Sequence, residues 1–192
     1  MRLRTVIASA WIVMFAGLLT GCVGVPKGVD PVQGFELNRY LGRWYEIARL
    51  DHSFERGMSH VTADYSMRKD GGVRVLNRGY SEKKKEWKTA EGKAYRVKGP
   101  DEGYLKVSFF GPFYGSYVIF QLDQKDYQYA IISGPNKSYL WILARTPELD
   151  PELKQKLISR ASALGFETTK LVFPDQKQSP PQVSMGQEQG GS

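Results

Sequence analysis

Cysteine is almost absent from this chain, with one in 192 residues, at position 22. A lone cysteine excludes an internal disulfide, so the fold must stand on its apolar core. Histidine is nearly as scarce. His52 and His60 are the only two, and neither stands in an HExxH or comparable ligand spacing, so no metal site is expected. There is no G-x-S-x-G elbow, no phosphate-binding loop and no glycine-rich turn leading from a strand into a helix. Glu46 with Asp51 or Glu55 could be drawn as a glycosidase pair, but a solvated loop accounts for Asp51 and Glu55 equally well. Neither enzyme activity nor a cofactor is therefore expected. Charge is also modest: +7 for the whole chain, with one dense basic cluster, EKKKEWK, at positions 82–88. One small cluster does not make a nucleic-acid surface. It reads as a solvated hairpin or as a contact to anionic lipid headgroups.

What the chain does have is 41% hydrophobic and 12% aromatic residues, ample for one domain with a core. The first 21 residues stand apart. Arg2 and Arg4 precede an uncharged apolar run from Thr5 to Leu19, followed by small residues. That is the layout of a secretory signal peptide, and the run is short for a membrane span. Losing the two arginines with the leader takes the formal charge to +5. Leu19, Thr20, Gly21 and Cys22 resemble the bacterial lipobox. The resemblance implies cleavage before Cys22 and acylation of Cys22, which anchors the chain to a membrane. Val23 stands where inner-membrane lipoproteins typically carry aspartate, which by the same analogy implies the outer membrane. Residues 22–34, rich in proline and glycine, read as a flexible tether. Residues 174–192, rich in Pro, Gln, Gly and Ser, read as a disordered tail.

Between them the pattern predicts eight strands, at 42–51, 59–68, 73–81, 86–97, 104–110, 116–122, 127–133 and 139–145. Short turns such as KDGG and GPNKS make consecutive strands antiparallel neighbours. At 150–165 the period changes to helical. Asp150 is a plausible N-cap and Pro151 the first helical residue. Leu153, Leu157, Ile158, Ala161 and Leu164 form one apolar stripe, and Gly165 ends it. The expected architecture is all-β: an eight-stranded antiparallel up-and-down barrel spanning 35–173, with one C-terminal α-helix packed outside. A two-sheet sandwich is the structural alternative.

The same region resembles the lipocalins, specifically the bacterial outer-membrane lipocalin. Gly42-x-Trp44 opens the first strand, YQYAIISGP occupies the place of the second family block, and Arg145 ends YLWILART in the third. FERG, SFFGPFYG and the helix follow in family order. The resemblance implies that Trp44 closes the barrel base with Arg145 across its ring, while Gly42 lets the chain pass beneath. From that pairing, alternation points Leu143, Trp141 and Tyr139 inward on the last strand. Glu46, Ala48 and Leu50 follow on the first strand, with Tyr45 and Ile47 outward. Val61, Ala63, Tyr65 and Met67 line the second strand, and Leu105, Val107 and Phe109 the fifth. Tyr117 and Ile119 on the sixth and Tyr129 and Ile131 on the seventh complete the expected cavity. Phe113 and Tyr114 belong to the mouth or to a contact with membrane or a second subunit.

A carboxylate beside a tryptophan poses a question, because an unpartnered Glu46 in a filled core costs several kcal/mol, roughly. Either the interior is hollow and partly wet, or a neighbouring strand supplies an Arg or Lys. The expected function is a carrier lipoprotein of the outer membrane, on its periplasmic face, that binds a fatty acid or lysophospholipid for envelope maintenance. The alternative is an envelope interaction protein with a filled barrel and an aromatic rim. The sequence leaves the oligomeric state open, a homodimer through the aromatic rim being one arrangement it allows.

Overall fold

The computed structural model describes residues 23–176. The signal peptide, Cys22 and most of the C-terminal tail lie outside the described residues. Eight strands form an antiparallel meander: β1 (Gly42–Leu50), β2 (Met58–Met67), β3 (Val73–Ser81), β4 (Glu86–Arg96), β5 (Tyr104–Ser108), β6 (Gly115–Leu122), β7 (Tyr129–Ser133) and β8 (Leu140–Ala144). β8 pairs with β1 and β1 with β2, so the sheet closes into a barrel. Closure satisfies both edges, which an eight-strand open sheet would leave exposed. A two-residue strand, β9 (Leu171–Val172), pairs with Arg49 and Leu50 on the far half of β1.

A one-turn helix, α1 (Leu37–Tyr40), crosses the closed end, and α2 (Pro151–Ala163) packs outside. The Asp150 carboxylate accepts from the backbone N–H groups of Glu152 and Leu153, the capping geometry its position predicts. Leu157 and Ala161 of α2 are buried against Ile47, Ile131, Ile142 and Val118. This outer layer is separate from a second apolar cluster inside the barrel, which holds Trp44, Tyr65, Val75, Ala94, Ile119, Ile132 and Leu143.

Two bulges decide which side chains belong to which layer. On β1, Glu46 faces Leu143 and Ala48 faces Ile142, so Ile47 is the extra residue. An inserted residue reverses alternation beyond it. Ala48 and Leu50, expected inside, therefore join the layer beneath α2, and Arg49 turns inward instead. On β6 Phe120 faces outward onto Phe166 by ordinary alternation, and the register shift between Ile119 and Gln121 returns Leu122 to the interior.

The stretch expected as a flexible tether is packed. Val29 is buried, Val32 N–H donates to Ile119 O, and Gly103 N–H donates to Val32 O. Gly24 N–H donates to Ser116 Oγ near the open-end start of β6. The tail differs as well in its first residues. β1 and β2 pair only from Gly42 to Tyr45, and above that the Gln176 side-chain amide bridges the gap by donating to Glu46 O and Val61 O.

Candidate ligand-binding site

The barrel base is filled and rigid. Trp44 is fully buried, and its Nε1 donates to Tyr40 O at 2.8 Å. The Arg145 guanidinium lies 3.9 Å from the indole ring and donates to Arg43 O, Arg39 O and Tyr127 O. Stacking of this kind contributes about 0.5–2 kcal/mol. Gly42 has φ +92°, the left-handed region, and a Cβ there would come within 3.4 Å of Arg145 Nη1. Above this plug the hydroxyls of Tyr40 and Tyr65 each meet Tyr117, at 2.8 and 2.9 Å. Burial pushes all three phenols above their ordinary range, so they stay neutral.

Higher up, the inner walls are less fully buried. Ala63, Val107, Phe109, Tyr117 and Trp141 face the inner cluster yet retain some solvent contact. Opposite them on β3 and β4, alternation from Val75 and Ala94 places Asn77, Gly79, Ala90 and Gly92 on the same face. The glycines there make way for neighbouring side chains: Phe109 ring carbons lie 2.9 Å from where a Gly92 Cβ would stand, and Met58 Sδ 3.1 Å from that of Gly79. Val61 is buried against Gly79, and Leu105 is buried opposite Tyr117. Two surface clefts, of about 300 Å³ beside Phe35 and Asp101 and about 520 Å³ beside Leu50 and Lys170, lie outside the barrel.

Near the mouth a polar cluster is sealed in. Arg49, only 1% exposed, donates from Nη1 to Glu46 Oε1 at 2.6 Å and from Nη2 to Glu55 O at 2.6 Å. Trp141 Nε1 donates to Glu55 Oε2 at 3.1 Å, and that carboxylate lies 4.0 Å from Arg49 Nε. The partner of Glu46 is thus on its own strand, three residues along, brought there by the Ile47 bulge. His52 stacks on Tyr139 at 4.5 Å and also contacts Trp141 and Phe54. Burial lowers the His52 pKa, so the ring is neutral at pH 7.

One cation facing two carboxylates has a consequence for pH. Burial first, then the charge of Glu55, pushes Glu46 up to about 8, and burial also raises Glu55. From the ordinary carboxylate range up to about pH 8 the native state then holds a proton that the unfolded chain has lost. Stability is greatest below that window and falls as pH rises through it, by up to about 1.4 kcal/mol per unit for each such proton. Urea midpoints should fall from pH 5 to pH 8, and Glu46→Gln should flatten the slope. A midpoint that rises over this range contradicts the assignment.

Of the expected lining, Glu46, Val61, Ala63, Tyr65, Leu105, Val107, Phe109, Tyr117, Trp141 and Leu143 come together around the interior, with Tyr139 at its mouth. Five do not. Ala48 and Leu50 lie under α2 because of the bulge. Tyr129 and Ile131 also face that layer, and Ala130 and Ile132 take the interior. Both faces of β7 are apolar, so alternation alone could not choose between them. Met67, 47% exposed, lies beyond Tyr65 at the closed end. Tyr114 rests on the outer surface against Tyr95 and Lys106. Arg49, His52 and Glu55 were not expected inside. The surplus of carboxylate at Glu46 was the one sequence signal that a cation had to accompany it.

Comparison with known proteins agrees with this geometry. "Outer membrane lipoprotein Blc" of Vibrio cholerae is 59% identical over 167 residues, covering 87% of this chain and 98% of the relative. The Escherichia coli K12 protein of the same name is 47% identical over 178 residues, covering 92% and 98%. Insecticyanin from the tobacco hornworm Manduca sexta superposes with a TM-score of 0.65 at 23% identity, covering 84% of this chain and 91% of that one. Residues 35–176 match the family described as "Lipocalin-like domain". With the closed meander, the Trp44–Arg145 base and the outer helix, this places the chain in the lipocalin-like family.

Proposed function

We propose that this protein is a lipid-binding carrier of the outer membrane, held there by acylated Cys22 on the periplasmic face. Its ligand on this reading is a fatty acid or lysophospholipid, stored or moved in envelope maintenance. The observation that carries the reading is the graded interior. A closed base leads to apolar walls that keep solvent contact, and a buried polar cluster stands beneath the mouth. That order matches an amphiphile. A 16-carbon chain gains on the order of 12 kcal/mol gross at about 0.8 kcal/mol per CH₂, much of it offset by lost freedom. The relatives named as outer-membrane lipoproteins support the location.

Calorimetric titration of the chain from Val23, which keeps every described strand and helix, tests it. Saturable one-to-one binding of palmitate or palmitoyl lysophosphatidylethanolamine is expected. Quenching of tryptophan fluorescence should accompany it and weaken in Trp141→Phe. A second reading draws on the rim, where Phe110 and Phe113 are 83% and 69% exposed. Such side chains suit a partner protein or a second copy. Absence of binding to either lipid class would favour that reading over the carrier.

A further inference from the structure

Glu55 sits in an unexpected place. It belongs to the loop between β1 and β2, whose neighbours Phe54 and Arg56 are exposed, yet its own side chain is buried. A loop carboxylate has water available to it; burial costs several kcal/mol, roughly, unless its partners are good. Here they are incomplete. Trp141 Nε1 makes a hydrogen bond, but Arg49 Nε stands 4.0 Å away and has no hydrogen-bond partner among the described residues. Arg49 Nη1 and Nη2 donate to Glu46 and to Glu55 O respectively. Two buried donors, one indole and one guanidinium, therefore converge on a space that the Glu55 carboxylate fills without meeting both.

We propose that Arg49 and Trp141 form a subsite for the anionic head of an amphiphile, and that Glu55 occupies this subsite until the ligand displaces it. The inference rests on the carrier reading and adds the ligand's charge and the position of its head. The head is a carboxylate or a phosphate, held just inside the mouth with the tail below it among Ala63, Val107 and Phe109. Exchange of Glu55 for such a head leaves the count of buried charges unchanged. The loop carboxylate regains water, while a free ligand can settle between both donors as the tethered side chain does not. A neutral head has no comparable means of releasing Glu55, and a cationic head would meet Arg49. The loop carrying Glu55 must then move outward whenever an anionic ligand is bound.

The test uses the chain from Val23 with three probes of equal tail length: palmitate, palmitoyl lysophosphatidylglycerol and hexadecanol. Glu55→Gln keeps the shape and removes the competing charge. At least one anionic probe should bind this variant about tenfold tighter than the parent, equivalent to about 1.4 kcal/mol, while hexadecanol is unchanged. A gain for palmitate alone identifies a carboxylate head, and a gain for the lysophospholipid alone a phosphate. Trp141→Phe should weaken the favoured anionic probe by a larger factor than it weakens hexadecanol, which loses only wall contact. In the parent chain that probe should also speed tryptic cleavage after Arg56, which hexadecanol should not do. If Glu55→Gln shifts all three probes alike, or hexadecanol matches the anionic probes throughout, the subsite is wrong and the carrier reading stands. If no probe binds, both fall.

Discussion

Replacing Arg49 by alanine should lower the unfolding free energy by about 3–5 kcal/mol, the loss expected when one member of a buried ion pair is removed. The side chain is 1% exposed and is the cation set directly against Glu46 and Glu55. Without it, two buried carboxyl groups face each other and the β1–β2 loop loses its bond to Glu55 O. The loss should be greater at pH 8 than at pH 5, because protonation relieves both carboxylates as pH falls. Urea unfolding at the two values measures this. Arg49→Met combined with Glu46→Leu should recover most of the stability, since an apolar pair of similar volume needs no counter-charge. An Arg49→Ala variant within 1 kcal/mol of the parent at pH 8, roughly, would show that the cluster is not sealed from water.

The second large effect is expected at the base. Trp44→Ala should cost about 3–5 kcal/mol, as large aromatic truncations in cores do. Trp44 is fully buried, packs with its ring tilted against Tyr40 at 4.6 Å, and carries the Arg145 guanidinium over its ring. Truncation would leave a cavity beneath the tyrosine hydroxyls and remove the surface on which the guanidinium rests. Trp44→Phe should cost less, because much of the volume remains while the bond to Tyr40 O is lost. Arg145→Lys should not substitute for arginine, since one ammonium group cannot reproduce the flat stack and three carbonyl contacts together. Thermal unfolding separates these variants. A Trp44→Ala protein as stable as the parent would mean that the base is not a structural plug.

The barrel, its closed end and its outer helix were legible because their signals are local and repeated. Period-two strands, short turns and a capped stripe at helical spacing need no knowledge of the rest of the chain. The interior was legible only as far as alternation runs unbroken. Ile47 is an ordinary strand residue, and nothing in GRWYEIARL marks it as the extra one. A single inserted residue exchanged Ala48 and Leu50 for Arg49. On β7 the apolar character of both faces hid the choice between Tyr129 and Ala130. Glu55 was read as a solvated loop residue because its burial depends on Arg49 and Trp141, neither of which is near it in pattern. The packed course of residues 23–34 was likewise invisible. Proline and glycine report backbone freedom, not the Ile119 and Gly103 backbone groups that happen to pair with Val32.

The claim on which the functional account turns is that an acyl chain lies inside the barrel. The most direct measurement is by nuclear magnetic resonance, with carbon-13-labelled palmitate bound to the chain from Val23. The account predicts nuclear Overhauser contacts from the chain methylenes to Trp141, Phe109, Val107 and Ala63. Contacts confined to Phe110 and Phe113 at the rim, or to the outer layer under α2, would contradict it.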